Sequence, residues 1–149
     1  MKKIIFMSFL TLFISIGAHS QILDPVTWSY AAKKTSPTEA TIYIKASIDK
    51  GWHLYSQFIK DGGPVKTSFN FPSSPTYVVL GKTMEPKPIS KYESTFKMDV
   101  SYFENTVVFQ QKVKLKAELA TVKGSIEFMV CDDKQCLPPS QVNFSVPVK

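Results

Sequence analysis

Apolar and polar residues alternate along much of the chain, a pattern typical of β-strands with one buried face. The clearest run is 41–48. One face of this run is formed by Ile42, Ile44, Ala46 and Ile48. Comparable runs predict further strands at 52–55, 68–71, 77–80, 96–102, 107–109, 113–119, 126–131 and 142–148. The period of two indicates a chain built mainly from strands.

Turn-forming residues separate these runs. Ten prolines and six glycines lie mostly between them, and no stretch longer than a turn has the 3.6-residue period of a helix. Many short strands with turns between them predict an all-β fold, an immunoglobulin-like antiparallel β-sandwich. The Cys-Trp-Cys spacing of true immunoglobulin domains is missing, so the likeness is one of architecture. Residues 61–64 and 84–90 are predicted to be loops, where functional side chains often lie.

Residues 1–20 have the pattern of a secretory signal peptide. Two lysines precede an apolar stretch at 4–16, and small residues follow before Gln21. Cleavage there leaves one domain at 21–149, expected to be periplasmic or secreted. The alternative is a membrane anchor, but a spanning helix needs about 20 apolar residues and this stretch is shorter. We therefore expect no membrane insertion after cleavage, and a soluble monomer.

The charge pattern argues against a nucleic-acid partner. The net charge of +6 falls to +4 when the two lysines of the leader are removed. Every basic residue is a lysine, and the lysines are spread along the chain. Recognition of phosphate and guanine relies strongly on arginine, which this sequence lacks. After loss of the leader, His53 is the only histidine.

The chain has two cysteines, Cys131 and Cys136, separated by four residues. If a strand ends at Cys131 and the chain returns from Cys136, residues 132–135 form a hairpin loop and the two side chains face each other. Export permits a disulfide between them. Closing a loop of about six residues stabilises a fold by only about 2 kcal/mol in the chain-entropy model. So small a contribution to stability favours a redox-active pair over a purely structural disulfide.

Two other interpretations of the pair stay open. The bond could pin a hairpin in a non-catalytic binding module, or the thiols could hold a metal ion, as in a metallochaperone. Zinc usually takes four ligands, and only His53 could join the two cysteines as an imidazole. We expect no metal and no cofactor, because a dithiol itself carries two electrons.

Three segments carry a resemblance to a known family. The run 131–139, Cys-Asp-Asp-Lys-Gln-Cys-Leu-Pro-Pro, resembles the active-site segment of the N-terminal periplasmic domain of the thiol:disulfide interchange protein DsbD. Residues 51–55, Gly-Trp-His-Leu-Tyr, are similar to the Gly-aromatic-x-Leu-Tyr strand of that family. Residues 62–64 and 67–69 also fit. The cysteine segment with its double proline is the most specific of the three.

This resemblance implies an immunoglobulin-like domain that relays reducing equivalents outside the cytoplasmic membrane. It implies that Cys136 forms mixed disulfides and that Cys131 resolves them, a protein-disulfide reductase type of activity. The implied partners are oxidised thioredoxin-like periplasmic proteins, including thiol proteins of cytochrome c biogenesis. Because no membrane or thioredoxin-like segment follows Lys149 in the sequence, the electron donor is expected to be a separate membrane protein.

The resemblance also implies residues that shield and orient the pair. Tyr55 and His53 match the aromatic positions that line the family's active site. The segment 91–96 falls where the family has a cap loop whose phenylalanine covers the disulfide. Phe96 is the first candidate for that residue and Tyr92 the second. The alternatives are that Phe96 belongs to the core of the following strand and that His53 is an ordinary surface histidine.

Overall fold

Regular structure is entirely β-strand in the part of the chain that the structure describes. This computed structural model describes residues 23–149, so the predicted signal peptide at 1–20 lies outside the described residues. The strands are β1 (Val26–Ser36), β2 (Glu39–Ile48), β3 (His53–Tyr55), β4 (Ser68–Asn70), β5 (Tyr77–Met84), β6 (Ile89–Glu93), β7 (Met98–Phe103), β8 (Thr106–Leu115), β9 (Ala120–Phe128), β10 (Val130–Cys131) and β11 (Ser140–Val148). The predicted all-β class is confirmed.

The strands form three antiparallel sheets, with the orders β1-β2-β8-β5, β11-β9-β4 and β10-β3-β7-β6. The first two sheets pack face to face, because their aromatic rings meet in the interior. Trp28 of β1 lies 5.2 Å from Phe128 of β9, measured between ring centroids. Phe69 of β4 lies 4.9 Å from Phe109 of β8. The third sheet carries Cys131 on the edge strand β10.

The main core follows from the alternation in the sequence. From Ile42 to Ile48, β2 buries every second side chain completely or nearly so. Phe109 on β8 has no exposed surface. Three rings from three other strands contact it: Trp28, Phe69 and Phe103. Burying each such side chain stabilises the fold by about 1.5–3 kcal/mol, so this aromatic group holds the sheets together.

The chain changes sheet at Met129. Phe128 is the last residue of β9, and Val130 begins β10 in the third sheet. Val130 still packs in the main core, but the next side chain points to the opposite face, as successive residues of a strand do. It joins a second, smaller cluster. The buried members of this cluster are Cys131, Tyr55, Val100 and Tyr102.

The sequence pattern did not predict two of the strands. β1 alternates along its whole length, but its inward face is only half buried and Ala31, Ala32, Lys33 and Lys34 have weak strand preference. β6 falls partly within residues 84–90, which were predicted to be a loop. Four of its five residues are exposed. This edge strand therefore has no buried apolar face, and its sequence does not show the alternation that predicts a strand.

Several predicted strand ends were wrong: the strand predicted at 77–80 continues to Met84, and the one predicted at 126–131 begins at Ala120 and breaks at Met129. Two others were misplaced by apolar residues in turns. The run predicted at 113–119 ends at Leu115, and Leu119 is 76% exposed because the chain turns at 116–119. The run predicted at 96–102 begins at Met98, and Phe96 lies in the preceding turn. That turn uses a left-handed residue, Lys97, with φ of 53°. In both cases apolar residues of a turn continued the alternation by chance.

Gly124 on β9 has no room for a side chain. A Cβ there would overlap the ring of Phe144 and lie 2.8 Å from the carbonyl oxygen of Asn70. Overpacking typically costs about 1–3 kcal/mol, so Gly124→Ala is expected to lower the free energy of unfolding by that amount in urea denaturation. The matched control is Ser145→Ala, an exposed position on β11, which is expected to change it by less than about 0.5 kcal/mol. Equal stability of the two variants would contradict this packing.

Candidate functional site

A disulfide closes the hairpin that follows β10. Cys131 and Cys136 are bonded, with their sulfur atoms 1.99 Å apart, and they form an antiparallel bridge. The Asp132 amide donates to the carbonyl oxygen of Gln135 at 2.9 Å, and the Leu137 amide donates to that of Val130 at 2.9 Å. The structure therefore shows the four-residue loop expected from the spacing of the cysteines.

The hairpin tip is held by the carboxylate of Asp132. One of its oxygens accepts hydrogen bonds from the backbone amides of Lys134, at 2.8 Å, and Gln135, at 2.7 Å. These two donors favour the charged carboxylate and hold the pKa of Asp132 below its usual value. The turn is thus held by three hydrogen bonds of its own in addition to the disulfide.

The two sulfur-bearing residues differ in their access to solvent. Cys131 is 3% exposed and packs in the small cluster, whereas Cys136 is an exposed residue. The sheet position of Cys131 explains its burial, since it pairs with β3 on one side. Cys136 is on the return limb of the hairpin, followed by the exposed Pro138 and Pro139. A partner protein can reach Cys136 much more easily than Cys131.

His53 and Tyr55 share the face of β3 on which Cys131 lies. His53 is directly opposite Cys131 in the pairing of β3 with β10, and Tyr55 is opposite Tyr102 in the pairing with β7. The imidazole of His53 lies over the ring of Tyr102, with centroids 4.8 Å apart. Its Nδ1 is 3.6 Å from Oε1 of Glu104.

Burial is the main influence on the phenol of Tyr55. The side chain is almost fully buried, which raises its pKa to about 12, with smaller contributions from Glu93 and Tyr102. Burial also raises the pKa of Tyr102, and the nearby Glu104 adds to this effect. Both phenols therefore stay neutral at physiological pH, and the wall beside the disulfide carries no charge from them.

Phe96 lies in the turn at 94–97 that joins β6 to β7. It is half-buried against the small cluster, and its ring meets that of Tyr55 edge-on, with centroids 6.5 Å apart. This turn and the cysteine hairpin form opposite sides of a cleft of about 310 Å³. Phe96 lines the cleft. Tyr92 does not line it, and its side chain is 60% exposed.

The cleft brings together five of the six predicted site residues, namely Cys131, Cys136, His53, Tyr55 and Phe96. The sequence reasoning missed Glu104, Tyr102 and Glu93 as neighbours of the site. Tyr102 was visible as a member of an alternating run. Its place beside His53 depends on the register between β3 and β7, which no local pattern reveals.

A larger groove of about 500 Å³ lies elsewhere, between the edge strands β4 and β5. Its walls include Phe69, Phe71, Val79 and Lys82, and it contains neither cysteine. Gln111 at its base is fully buried and hydrogen-bonded to Thr83 and to two carbonyl oxygens. Both cysteines therefore lie in the smaller cleft.

Within residues 23–149, no group of three or more His, Cys, Asp or Glu side chains is arranged to hold a metal ion. Over the same residues, no helix has the length and apolar character needed to cross a membrane.

Comparison with known proteins identifies the family. The family model described as "Thiol:disulfide interchange protein DsbD, N-terminal" matches residues 20–147. The chain belongs to this family. The resemblance seen in the cysteine segment is thereby confirmed. No curated protein sequence matches the chain.

Solved structures of DsbD-type N-terminal domains share the fold. The N-terminal periplasmic domain of ScsB from Proteus mirabilis has a TM-score of 0.60 and 18% identity over 85% of this chain, which spans 47% of that one. The reduced DsbD N-terminal domain of Neisseria meningitidis has a TM-score of 0.55 and 13% identity, covering 81% of this chain and 83% of that one. The immunoglobulin-like sandwich predicted from the strand pattern is confirmed.

A third solved structure contains a partner. It is the complex between the DsbD N-terminal and PilB N-terminal domains of Neisseria meningitidis, with a TM-score of 0.55 and 13% identity. The match covers 84% of this chain and 87% of that one. At this identity the likeness establishes the fold alone.

The raised pKa of Tyr55 predicts a loss of stability at high pH. The folded protein holds this proton up to about pH 12, whereas an unfolded tyrosine loses it near pH 10. The stabilisation is therefore complete below about pH 10 and is lost as the pH rises toward about 12. Between about pH 9 and about pH 11.5, the unfolding free energy of the wild type should fall by about 1–2 kcal/mol more than that of Tyr55→Phe. Urea denaturation at each pH measures this difference.

The matched control for this prediction is Tyr92→Phe, since the Tyr92 ring is mostly exposed and loses little burial on unfolding. We expect its pH dependence to follow the wild type. A Tyr55→Phe profile that also follows the wild type would show that the phenol of Tyr55 does not resist ionisation.

Proposed function

We propose that this chain is an extracytoplasmic thiol–disulfide exchange protein that relays reducing equivalents through Cys131 and Cys136 to oxidised partner proteins. The observation that carries the proposal is the unequal access to the two residues. Cys136 is exposed and Cys131 is buried. An exchange protein needs one accessible sulfur that forms the mixed disulfide with the partner and a second, less accessible sulfur that resolves it. A structural staple needs no such difference.

The exchange proceeds in two balanced steps. In the reduced protein, the thiolate of Cys136 attacks a partner disulfide, forming a mixed disulfide and releasing the partner's other sulfur, which takes up a proton. Cys131 then attacks Cys136. This restores the bond between the two cysteines and releases the partner's second sulfur as a thiol. The partner gains two electrons and two protons, and this chain becomes oxidised.

The disulfide contributes little to the stability of the fold, and this supports the proposed role. The hairpin is already held by backbone hydrogen bonds and by the carboxylate of Asp132. Closing so short a loop adds only about 2 kcal/mol in the chain-entropy model. The disulfide can therefore open and close in each cycle while the main core, which lies on the other face of β10, stays packed.

The proposed partners are thioredoxin-like periplasmic proteins, with a separate membrane protein as the electron donor. Thiol proteins of cytochrome c biogenesis are among the proposed acceptors. The solved complex of a DsbD N-terminal domain with a PilB domain supports a protein partner. We propose that the chain acts in the periplasm as a soluble monomer, after removal of residues 1–20 as a signal peptide.

In this proposal Tyr55, His53 and Phe96 shield the disulfide between encounters. Phe96 packs edge-on against Tyr55, which itself belongs to the cluster around Cys131. The turn that carries Phe96 joins an exposed edge strand to the sheet, so it can move aside at little cost in buried area. Tyr92, the second candidate for the cap residue, lies on that same edge strand.

Trapping of mixed disulfides tests the roles of the two cysteines. Cys131→Ala should accumulate a near-stoichiometric mixed disulfide through Cys136 when the reduced variant meets a thioredoxin-like protein whose single active-site cysteine carries a thionitrobenzoate leaving group, because neither Cys131 nor a second partner cysteine can then resolve the adduct. The adduct is measured on non-reducing gels and located by mass spectrometry. Cys136→Ala is the matched control and should give little adduct, since Cys131 is buried.

The structural alternative predicts a different result. If neither variant forms an adduct, the disulfide is a staple in a non-catalytic binding module. The double variant Cys131→Ala/Cys136→Ala would then lose about 2 kcal/mol of stability and still bind its partner. Equal adduct formation by both single variants would overturn the division of roles between the cysteines.

Shielding by Phe96 predicts faster attack on the disulfide when the ring is removed. Phe96→Ala should increase the rate of reduction by dithiothreitol by up to about tenfold, because an edge-to-face aromatic contact contributes about 0.5–1.5 kcal/mol. The rate is followed by thiol release under pseudo-first-order conditions. Phe58→Ala removes a ring that is 66% exposed and lies outside the cleft, so it should leave the rate unchanged. An unchanged rate in Phe96→Ala would exclude the cap role.

A further inference from the structure

Three side chains form a row across the third sheet. Cys131 on β10 is paired with His53 on β3. On the other side of β3, Leu54 is paired with Phe103, the last residue of β7, so the next residue, Glu104, lies level with His53. Directly opposed residues in antiparallel strands have Cβ atoms about 4.5–5.5 Å apart. The row therefore consists of the disulfide-bonded sulfur of Cys131, the imidazole of His53 and the carboxylate of Glu104, in that order.

The imidazole in the middle of this row is largely buried, but one of its ring nitrogens has no hydrogen-bond partner. Only 12% of the His53 side chain is exposed, and its ring lies 4.8 Å from that of Tyr102. Nδ1 is 3.6 Å from Oε1 of Glu104 and is a buried atom with no hydrogen-bond partner. Nε2 is 3.9 Å from Oδ1 of Asp133. A buried polar atom without a partner is uncommon and calls for an explanation.

The charges around His53 suit a group that gains a proton. Glu104 faces it from the turn between β7 and β8, and Asp133 faces it from the cysteine hairpin. The groups from β7 and β10, Tyr102 and Cys131, are neutral as phenol and disulfide. Two carboxylates therefore lie within 4 Å of the ring nitrogens of His53, while Lys91, Glu93 and Lys134 line the same cleft.

We propose that His53 accepts the proton of Cys131 when the mixed disulfide is resolved, and that Glu104 is the positioning residue that orients the imidazole. The inference rests on the proposed function. Cys131 must become a thiolate to attack, and a thiol buried among apolar groups ionises less readily than an exposed one. A histidine changes charge between about pH 5 and 8, so it can take up and return a proton under physiological conditions.

The step is balanced in atoms and electrons. The proton leaves Sγ of Cys131 for the imidazole, and the resulting thiolate attacks Sγ of Cys136. A sulfur–sulfur bond forms between the two cysteines while the bond from Cys136 to the partner's sulfur breaks. The partner's sulfur leaves with the electron pair and receives a proton from the imidazolium. His53 is thereby returned to its neutral state for the next cycle.

The reaction of the reduced protein with 5,5′-dithiobis(2-nitrobenzoate) separates the relevant steps. The first thionitrobenzoate is released when Cys136 attacks the reagent, at a rate that depends on its concentration. The second is released when Cys131 attacks the adduct, at a rate that does not. Thionitrobenzoate leaves as an anion and needs no proton, so the second phase reports the ionisation of Cys131.

Two variants remove the base in different ways. His53→Gln keeps a polar side chain, and His53→Phe keeps a ring on Tyr102. In both, the second phase should slow by about 10²-fold relative to the first phase near pH 7, the lower end of the range for general-base catalysis. The wild-type second phase should level off above neutral pH. In the variants it should keep rising about tenfold per pH unit, because direct ionisation of the thiol then limits it.

Glu104→Gln tests the positioning role. The Glu104→Gln variant should slow the second phase, but less than the His53 variants do, and it should not change the rate of the first phase. Glu118→Gln, the same change in the turn at the other end of β8, is the matched control and should have no effect on either phase. Circular dichroism and the first phase itself report whether each variant is folded, and two His53 variants protect the test against failure of one.

The outcomes distinguish this inference from the function on which it rests. A second phase that stays within twofold of wild type in both His53 variants, with the same pH profile, overturns the role of His53 alone. Absence of the first phase in the wild-type protein overturns the exchange function and this inference with it. Slowing of both phases together in the variants shows a structural role and also overturns the proposal.

Discussion

Leu54 and Val130 face each other across β3 and β10, and both side chains are buried in the main core. Because neighbouring residues of a strand point to opposite faces, this apolar pair directs His53 and Cys131 to the other face, where they also oppose each other. A shift of one residue in the pairing would exchange the two faces and place an imidazole in the core. The disulfide is thus positioned by aliphatic packing.

The sequence predicted those parts of the fold and site that depend on local pattern. The run 41–48 alternates cleanly and forms most of β2, and the spacing of the two cysteines predicted the hairpin between them. β6 was missed because an exposed edge strand has no apolar face, and β1 because its inward face is only half buried. Glu104 was missed for another reason. Its approach to His53 depends on a register between distant strands, which only the packed sheets determine.

The surroundings of the disulfide combine two environments that a single cluster could not provide. On one side, Tyr55, Val100 and Tyr102 form a wall against Cys131 that carries no charge at physiological pH. On the other side, the hairpin tip exposes Asp133, Lys134 and Gln135 to solvent beside Cys136. One sulfur therefore lies in an apolar medium and the other in a polar one, although they are bonded to each other.

Both parts that border the cleft are attached to edges of the third sheet. The cysteine hairpin follows β10 at one edge, and the turn that carries Phe96 follows β6 at the other, while β3 and β7 lie between them. Exposed turns at sheet edges accept insertions and deletions far more readily than central strands do. A change in the length of either turn is therefore expected to reshape the cleft while the central strands and the core stay unaltered.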